Sequence, residues 1–345
     1  MDDLAYLADN EKDKINNTYC SIDEDGMYYR MVDDYLIIGG NDTDTGCRCI
    51  NNFKEQFPSD FIDVGIAEEN AVAIAGGLSA FNKVPCVFIY STFMQRAYDQ
   101  IVHDVARTNQ HVIFCIDRAG IVEGDGDTHQ GIFDLSFLTP IPNMQIFAPS
   151  SNEMAVKMIR KAHDMSGPVV IRYPKYLPNA NEEVNIDSWN ILHPISDINI
   201  VTYGSDVLPL KELLNEKNVG LIDAHTIKPL DYECLEKIKN SKKIIIYEQV
   251  NNIGSLSTLI ENYFVSSKIE IISMSIKNSY LCTGSVEELK NLTHISYQDL
   301  MDDGSGSLKE KEAILGLNIL ESSVDFNKEN LTEEDKQDMI YYCKQ

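Results

Sequence analysis

The sequence predicts an α/β protein built from two doubly wound parallel-sheet domains. Apolar, β-rich runs alternate with helical patterns from residue 35 onward, which is the signature of parallel strands joined by crossover helices. A stretch with three prolines, several asparagines and glutamates and the single tryptophan, residues 174–196, interrupts that alternation once. A second, shorter series then resumes.

In chain order, the first series of strands is expected at 35–40, 61–66, 84–90, 112–117, 145–148 and 168–173. The helix after Ala148 carries Ser150 followed by Glu153, which reads as a capping box, and Gly167 reads as its stop. The second series is expected at 198–203, 219–223, 243–248 and 269–274. The domains therefore read as an acidic N-terminal segment (1–34), a first domain (35–175), a linker (176–196), a second domain (197–302) and an acidic tail (303–345).

Composition narrows the function. The chain has 345 residues, 43% hydrophobic and 24% charged, enough for two cores. A net charge of −25 argues against nucleic acid or an anionic membrane as partner, because phosphate contacts need clustered Lys and Arg. Eight scattered cysteines, with Cys86 and Cys115 inside apolar runs, suit reduced core thiols. The acidic N-terminus has no signal or transit pattern, and no apolar stretch approaches the ~18 residues of a membrane helix. The expectation is a soluble protein.

The chemistry-bearing residues gather at expected strand ends. Glu68 follows the run that stops at Gly65 and heads a helix of small residues, Ala71 to Leu78. Glycine in a helix interior costs about 1 kcal/mol relative to alanine, so Gly76 and Gly77 imply a very close neighbour. Tyr90, Phe93 and Arg96 follow the next buried strand and offer an aromatic face and a guanidinium, although a core role with an Arg96–Asp99 surface pair is the plainer reading. Arg118 ends a third strand and runs into a polar loop holding Asp125 and His129. An imidazole there can exchange protons near neutrality, and a solvated loop is the alternative. Arg172 ends a fourth strand, so three arginines leave one sheet edge and suggest an anion pocket, the edge where α/β proteins bind ligands.

Other patterns fail. Gly124-Asp125-Gly126 with Asn152 mimics a diphosphate and magnesium motif but lies past the strand. Asn41 to Gly46 starts like a calcium loop but lacks its twelfth-position glutamate, and Cys47 with Cys49 has no second ligand pair. No metal site is expected in this chain.

Several long motifs in one order resemble the 1-deoxy-D-xylulose-5-phosphate synthase family, transketolase-like thiamine diphosphate enzymes. They are Asp63-Val-Gly-Ile-Ala-Glu68, the run from Ile89 to Asp104, Asp117-Arg-Ala-Gly-Ile-Val122, Asp125-Gly-Asp-Thr-His-Gln-Gly131 and Ile171-Arg-Tyr-Pro174. The likeness spans roughly residues 35–302 and is strongest over 60–175, with Ile227 to Asp231 and Tyr247-Glu248 still fitting in the second domain. It implies a pyrimidine-binding domain followed by a transketolase C-terminal-like domain.

By that resemblance, Glu68 would bond the aminopyrimidine ring of thiamine diphosphate, Phe93 would stack on it and Tyr90 would border both cofactor and substrate. Arg96, Arg118 and Arg172 would hold the phosphate of glyceraldehyde 3-phosphate, with Asp125 and His129 near the reacting oxygens. The implied reaction joins pyruvate, with loss of CO2, to that aldehyde, in non-mevalonate isoprenoid synthesis. The family's diphosphate and Mg²⁺ site lies in a preceding domain that residues 1–34 are too short to supply, so a fragment or a subunit needing a partner is expected. Glu69-Asn70 stands where the family usually has Gln-His. A homodimer is implied, in the cytosol of a bacterium or a plastid-type organelle of a eukaryote. A beta-type subunit of a 2-oxo-acid dehydrogenase, or a non-catalytic remnant serving as a binding module, are the competing readings.

Overall fold

The computed structural model describes residues 35–39, 58–179, 185–277 and 279–303. The acidic ends, the Asn41–Gly46 motif and Cys47 and Cys49 lie outside the described residues. The described residues up to Ile295 belong to one compact unit, and those from Ser296 to Asp303, including the helix Tyr297–Asp303, to a second.

Two sheets make up the first unit. The seven-stranded sheet is ordered β10-β5-β6-β4-β3-β1-β2, with β1 Tyr35–Gly39, β2 Phe61–Asp63, β3 Val84–Tyr90, β4 Ile113–Asp117, β5 Gln145–Phe147, β6 Val169–Arg172 and β10 Thr226–Lys228. All of its pairings are parallel except β10 with β5. The five-stranded sheet is ordered β12-β11-β8-β9-β7, with β7 Asn190–His193, β8 Ile198–Thr202, β9 Gly220–Asp223, β11 Lys243–Asn251 and β12 Glu270–Ile276. Only β7 in that sheet is antiparallel to its neighbour.

The ten expected strands all form, within one to three residues of their expected ends. The two that composition did not signal, β7 and β10, are short antiparallel edge strands without an apolar run. Their stability comes from pairing with β9 and β5 rather than from their own residues. β7 lies inside the stretch expected to be a linker, and Trp189 just before it is buried, its indole Nε1 donating to the Thr226 carbonyl at 2.8 Å.

Both faces of the first sheet are covered, as a parallel sheet requires. In β3, Cys86 and Phe88 pack on one side with Met154, Met158 and Ile159 of helix α3 (Asn152–His163), while Val87 and Ile89 face the larger core that continues into the second sheet. The cap of α3 differs from expectation by one residue. Ser151 accepts from the Met154 amide at 3.2 Å, whereas the Ser150 hydroxyl donates to Asp223 at 2.9 Å. Burial makes the difference: at the end of β5, Ser150 is drawn to a buried carboxylate and leaves the cap to its neighbour.

Asp223 and His225 sit where the chain leaves β9 for β10, crossing from one sheet to the other. Both are buried, Asp223 Oδ2 lies 3.9 Å from His225 Nδ1, and neither ring nitrogen of His225 has a hydrogen-bond partner among the described residues. Burial pushes the Asp223 carboxyl up to about 7 and the His225 imidazole down to about 4. Between those values both are neutral, so the contact is not an ion pair. An acid whose native pKa lies above its unfolded value of 3.8 stabilises the fold most at low pH and loses that contribution as pH rises through about 7. Asp223→Asn should therefore gain stability relative to wild type between pH 5 and pH 8, by roughly 2.5–3 kcal/mol, most of it before pH 7. Urea unfolding at the two pH values checks this, and an unchanged difference would contradict it.

Candidate active site

The strand order places the site. β2 lies outward of β1 and β4 outward of β3 on the opposite side, so the strand order reverses between β1 and β3, the position at whose carboxyl end open α/β sheets bind ligands. Asp63, Tyr90, Asp117 and Arg172 end their strands along this edge.

Helix α1 (Glu68–Ala80) begins with Glu68. The N-terminal residue before it, Ala67, offers no side-chain cap, and Glu68 and Glu69 in the first turn suit the positive end of the helix dipole. A Cβ on Gly76 would lie 3.1 Å from the Asp104 carbonyl, which is the close approach the sequence implied; Gly77 faces open space. Asp104 belongs to the π-helical stretch Ile101–Ala106, the end of a helical run that leaves β3 at Ser91. This packing seats α1 against the segment that carries Phe93 and Arg96.

Glu68 is 1% exposed and accepts a hydrogen bond from Arg96 Nη1 at 2.8 Å, whereas the Arg96 side chain is 44% exposed. The Arg96–Asp99 surface pair does not form; Asp99 lies 3.5 Å from His103 Nε2 instead. The Arg96 guanidinium also lies over the Phe93 ring at 4.6 Å, so acid, cation and aromatic face meet. Phe93 stacks on Tyr90 at 5.9 Å with 15° between planes, and His129 approaches its edge at 5.1 Å. Over the Tyr90 ring sits the Arg118 guanidinium, 4.1 Å away. Glu68, Tyr90, Phe93, Arg96, Arg118 and His129 thus form one connected cluster.

Arg118 has a left-handed backbone (φ 57°), a conformation that costs about 1–3 kcal/mol in a residue with a side chain and needs surrounding support. The support is visible. Asp117 Oδ1 accepts from the Arg118 amide at 2.6 Å, Asp117 Oδ2 from its Nη1 at 2.8 Å, and Asp125 Oδ2 from its Nε at 3.2 Å. The loop bearing Asp125 and His129 returns to the strand tip through paired backbone bonds between Gly120 and Gly131. Any Cβ on Gly131 would fall 1.9 Å from the Arg118 carbonyl, so only glycine closes this loop. Thr128 Oγ1 lies 3.0 Å from His129 Nδ1.

Arg172 reaches the same sheet edge but has different company. It is buried and grips Asp134, the first residue of helix α2 (Asp134–Leu138), through Nε at 2.7 Å and Nη2 at 3.1 Å. Its other face lies 5.5 Å from the Tyr203 ring centre, in a narrow cleft shared with Asp206 and Gln249. Burial opposes its charge and the Asp134 carboxylate outweighs that effect, raising its pKa. All three arginines are therefore matched by carboxylates: Glu68, Asp117 with Asp125, and Asp134. Sequence reasoning missed the pairing of Arg96 with Glu68, of Arg172 with Asp134 and of Lys175 with Asp125 (3.5 Å), because residues so far apart in the chain leave no local spacing signal.

Residues 29–179 match the pyrimidine binding domain of transketolase. Over that segment the chain is similar to transketolases. It is 39% identical over 252 residues to a 1-deoxy-D-xylulose-5-phosphate synthase from Clostridium tetani, covering 70% of this chain and 41% of that protein. A synthase of the same name from Carboxydothermus hydrogenoformans is 38% identical over 268 residues, covering 73% and 42%. The chain thus spans about two fifths of the length of these curated relatives. In fold it is similar to a split-gene transketolase solved as an inactive beta4 tetramer, with a TM-score of 0.66 and 23% identity over 77% of this chain and 89% of the other.

Two substitutions separate packing from chemistry here. Arg172→Met should destabilise the fold by about 3–5 kcal/mol, because it strands the buried Asp134 carboxylate; denaturant unfolding measures this, and a loss below about 1 kcal/mol would show that Asp134 is satisfied otherwise. Gly131→Ala should cost about 1–3 kcal/mol or more through forced displacement of Arg118, read by the same measurement.

Proposed function

We propose that this chain supplies the pyrimidine-binding half of a thiamine diphosphate-dependent 1-deoxy-D-xylulose-5-phosphate synthase, which joins pyruvate to glyceraldehyde 3-phosphate with release of CO2. One observation carries the reading: a buried carboxylate and a half-buried phenyl ring meet across Arg96 at the crevice of a parallel sheet. That set fits a flat, protonatable heterocycle, with Glu68 to hold a ring-nitrogen proton and Phe93 to stack. When bound, thiamine diphosphate supplies the electron sink for decarboxylation of a 2-oxo acid.

The remaining work falls to the chain's own side chains. Burial keeps bulk water from Glu68, so its carboxylate would hold a ring-nitrogen proton of the bound group out of contact with solvent. Arg96, being partly exposed, can turn from Glu68 toward an incoming anion, and Arg118 offers a second guanidinium beside Tyr90. His129, in T-shaped contact with Phe93, and Asp125, bound to Arg118, are assigned to give or take a proton at the reacting oxygens. Arg172, buried on Asp134, is assigned to the anion through the cleft it lines, by the edge of its guanidinium turned away from Asp134.

The diphosphate and its Mg²⁺ are assigned to a separate module, in cis or in trans. The relatives' greater length supports this, as does the split-gene transketolase, in which a chain of this fold stands apart and is inactive. A homodimer is assigned as the working state, supported by the exposed apolar side chains Ile66 and Phe81 at the two ends of α1.

Calorimetry with thiamine diphosphate and Mg²⁺, and turnover of pyruvate with glyceraldehyde 3-phosphate, should both respond when a diphosphate-binding domain is supplied. Silence in every combination would contradict the proposal. In the complemented enzyme, Glu68→Gln should lower turnover by at least about a hundredfold while the fold persists, since it removes a charge and almost no volume. Normal turnover in that variant would remove Glu68 from the proton path.

A further inference from the structure

The loop that carries Asp125 and His129 has two stems, Gly120 just past the tip of β4 and Ile132 just before α2, bridged by the Gly120–Gly131 backbone bonds. Glu123, Gly124, Gly126, Asp127 and Thr128 in its middle are exposed, and a stretch of that kind keeps one shape only as well as its stems are held. Both stems rest on the second sheet.

At the end of β11 the Asn251 amide donates to the Ile132 carbonyl at 2.8 Å. Two residues earlier, Gln249 lies against the other stem, where a Cβ on Gly120 would fall 3.4 Å from Gln249 Cβ. Gln249 is held in turn: its Nε2 donates to Asp206 Oδ2 at 2.6 Å, and Asp206 Oδ1 pairs with the buried Lys290. Beyond Asn251 the chain turns along α2. Ser136 Oγ donates to the Ile253 carbonyl at 2.5 Å and Thr139 Oγ1 to the Gly254 carbonyl at 2.6 Å. Gly254 has φ 76°, and a Cβ there would sit 3.0 Å from Ser136 Cα, so the turn meets α2 backbone to backbone. Two longer contacts reach the loop itself, from the Gly124 amide to the Gly284 carbonyl at 3.4 Å and from Gln130 Nε2 to the Cys282 carbonyl at 3.5 Å.

We infer that the second domain is a positioning element for the site: the segment Gln249–Gly254 braces both stems of the loop and, tied to α2 by the Ser136 and Thr139 hydroxyls, sets where Asp125 and His129 stand. The brace is read from geometry, whereas its use in the reaction rests on the proposed synthase function.

Amide hydrogen exchange on the full chain tests the brace without cofactor. Combining Ser136→Ala with Thr139→Val removes both donors and little volume, so the amides of Gly120, Gly131 and Asn251 should exchange about tenfold faster while those of α3 are unchanged. Thr139→Ser alone keeps its hydroxyl and should match wild type. Equal exchange in the double variant and wild type, or a rise that extends equally to α3, would overturn the inference. Gln249→Leu loosens the other stem and should speed exchange at Gly120 about threefold or more; it decides the matter should the double variant not fold. In the complemented enzyme, the double variant should lower kcat about tenfold with both KM values unchanged, and Thr139→Ser should retain wild-type turnover. Wild-type kcat in spite of faster exchange, or a raised KM at constant kcat, would overturn the positioning role. An unmodified enzyme that fails to turn over pyruvate would defeat the functional reading alone, since the exchange data still decide the brace.

Discussion

The site depends on one half-buried ion pair, a buried carboxylate met by a partly exposed guanidinium. Glu68 is almost wholly removed from water, and a carboxylate so placed is costly unless a cation and further polar groups compensate it. Arg96 supplies the cation, and the amino end of α1 supplies a favourable field. Neither would be in place without the contact between Gly76 and the Asp104 carbonyl, which sets α1 against the helical run from β3. A backbone contact with no chemistry of its own thus determines where the acid stands relative to Phe93.

The same principle recurs along the sheet edge. In a protein of net charge −25, every arginine at the strand tips is already matched by a carboxylate, and burial grades what each can still do. Arg172 is locked to Asp134 and acts mainly as a structural cation joining β6 to α2. Arg118 is held in a left-handed backbone by Asp117 and Asp125, which aims its guanidinium at Tyr90. Arg96 alone of the three is substantially exposed and has the freedom to exchange its partner for an anion. Preorganisation of this kind lowers the reorganisation needed during a reaction, at the expense of local stability.

Much of this was legible in the residues because parallel strands buried on both faces must be continuous apolar runs, and β3 and β4 read plainly for that reason. The strand-tip positions of Glu68, Tyr90, Arg118 and Arg172 followed from those runs. β7 and β10 were not legible, since an edge strand such as Asn190–His193 borrows its stability from its neighbour and carries no period of its own. The exchange of cap between Ser150 and Ser151 had the same origin, a partner 73 positions away. Carboxylate partners escaped for a related reason: Arg172 and Asp134 are 38 residues apart, and only the fold makes them neighbours.

Everything above turns on whether the cleft at Glu68 receives a pyrimidine ring. A crystal structure of the chain with its diphosphate-binding module and thiamine diphosphate measures this directly. The expected result is the ring stacked on Phe93 with a nitrogen within hydrogen-bond distance of a Glu68 carboxylate oxygen. A ring bound away from both side chains, with Glu68 still closed on Arg96, would contradict it.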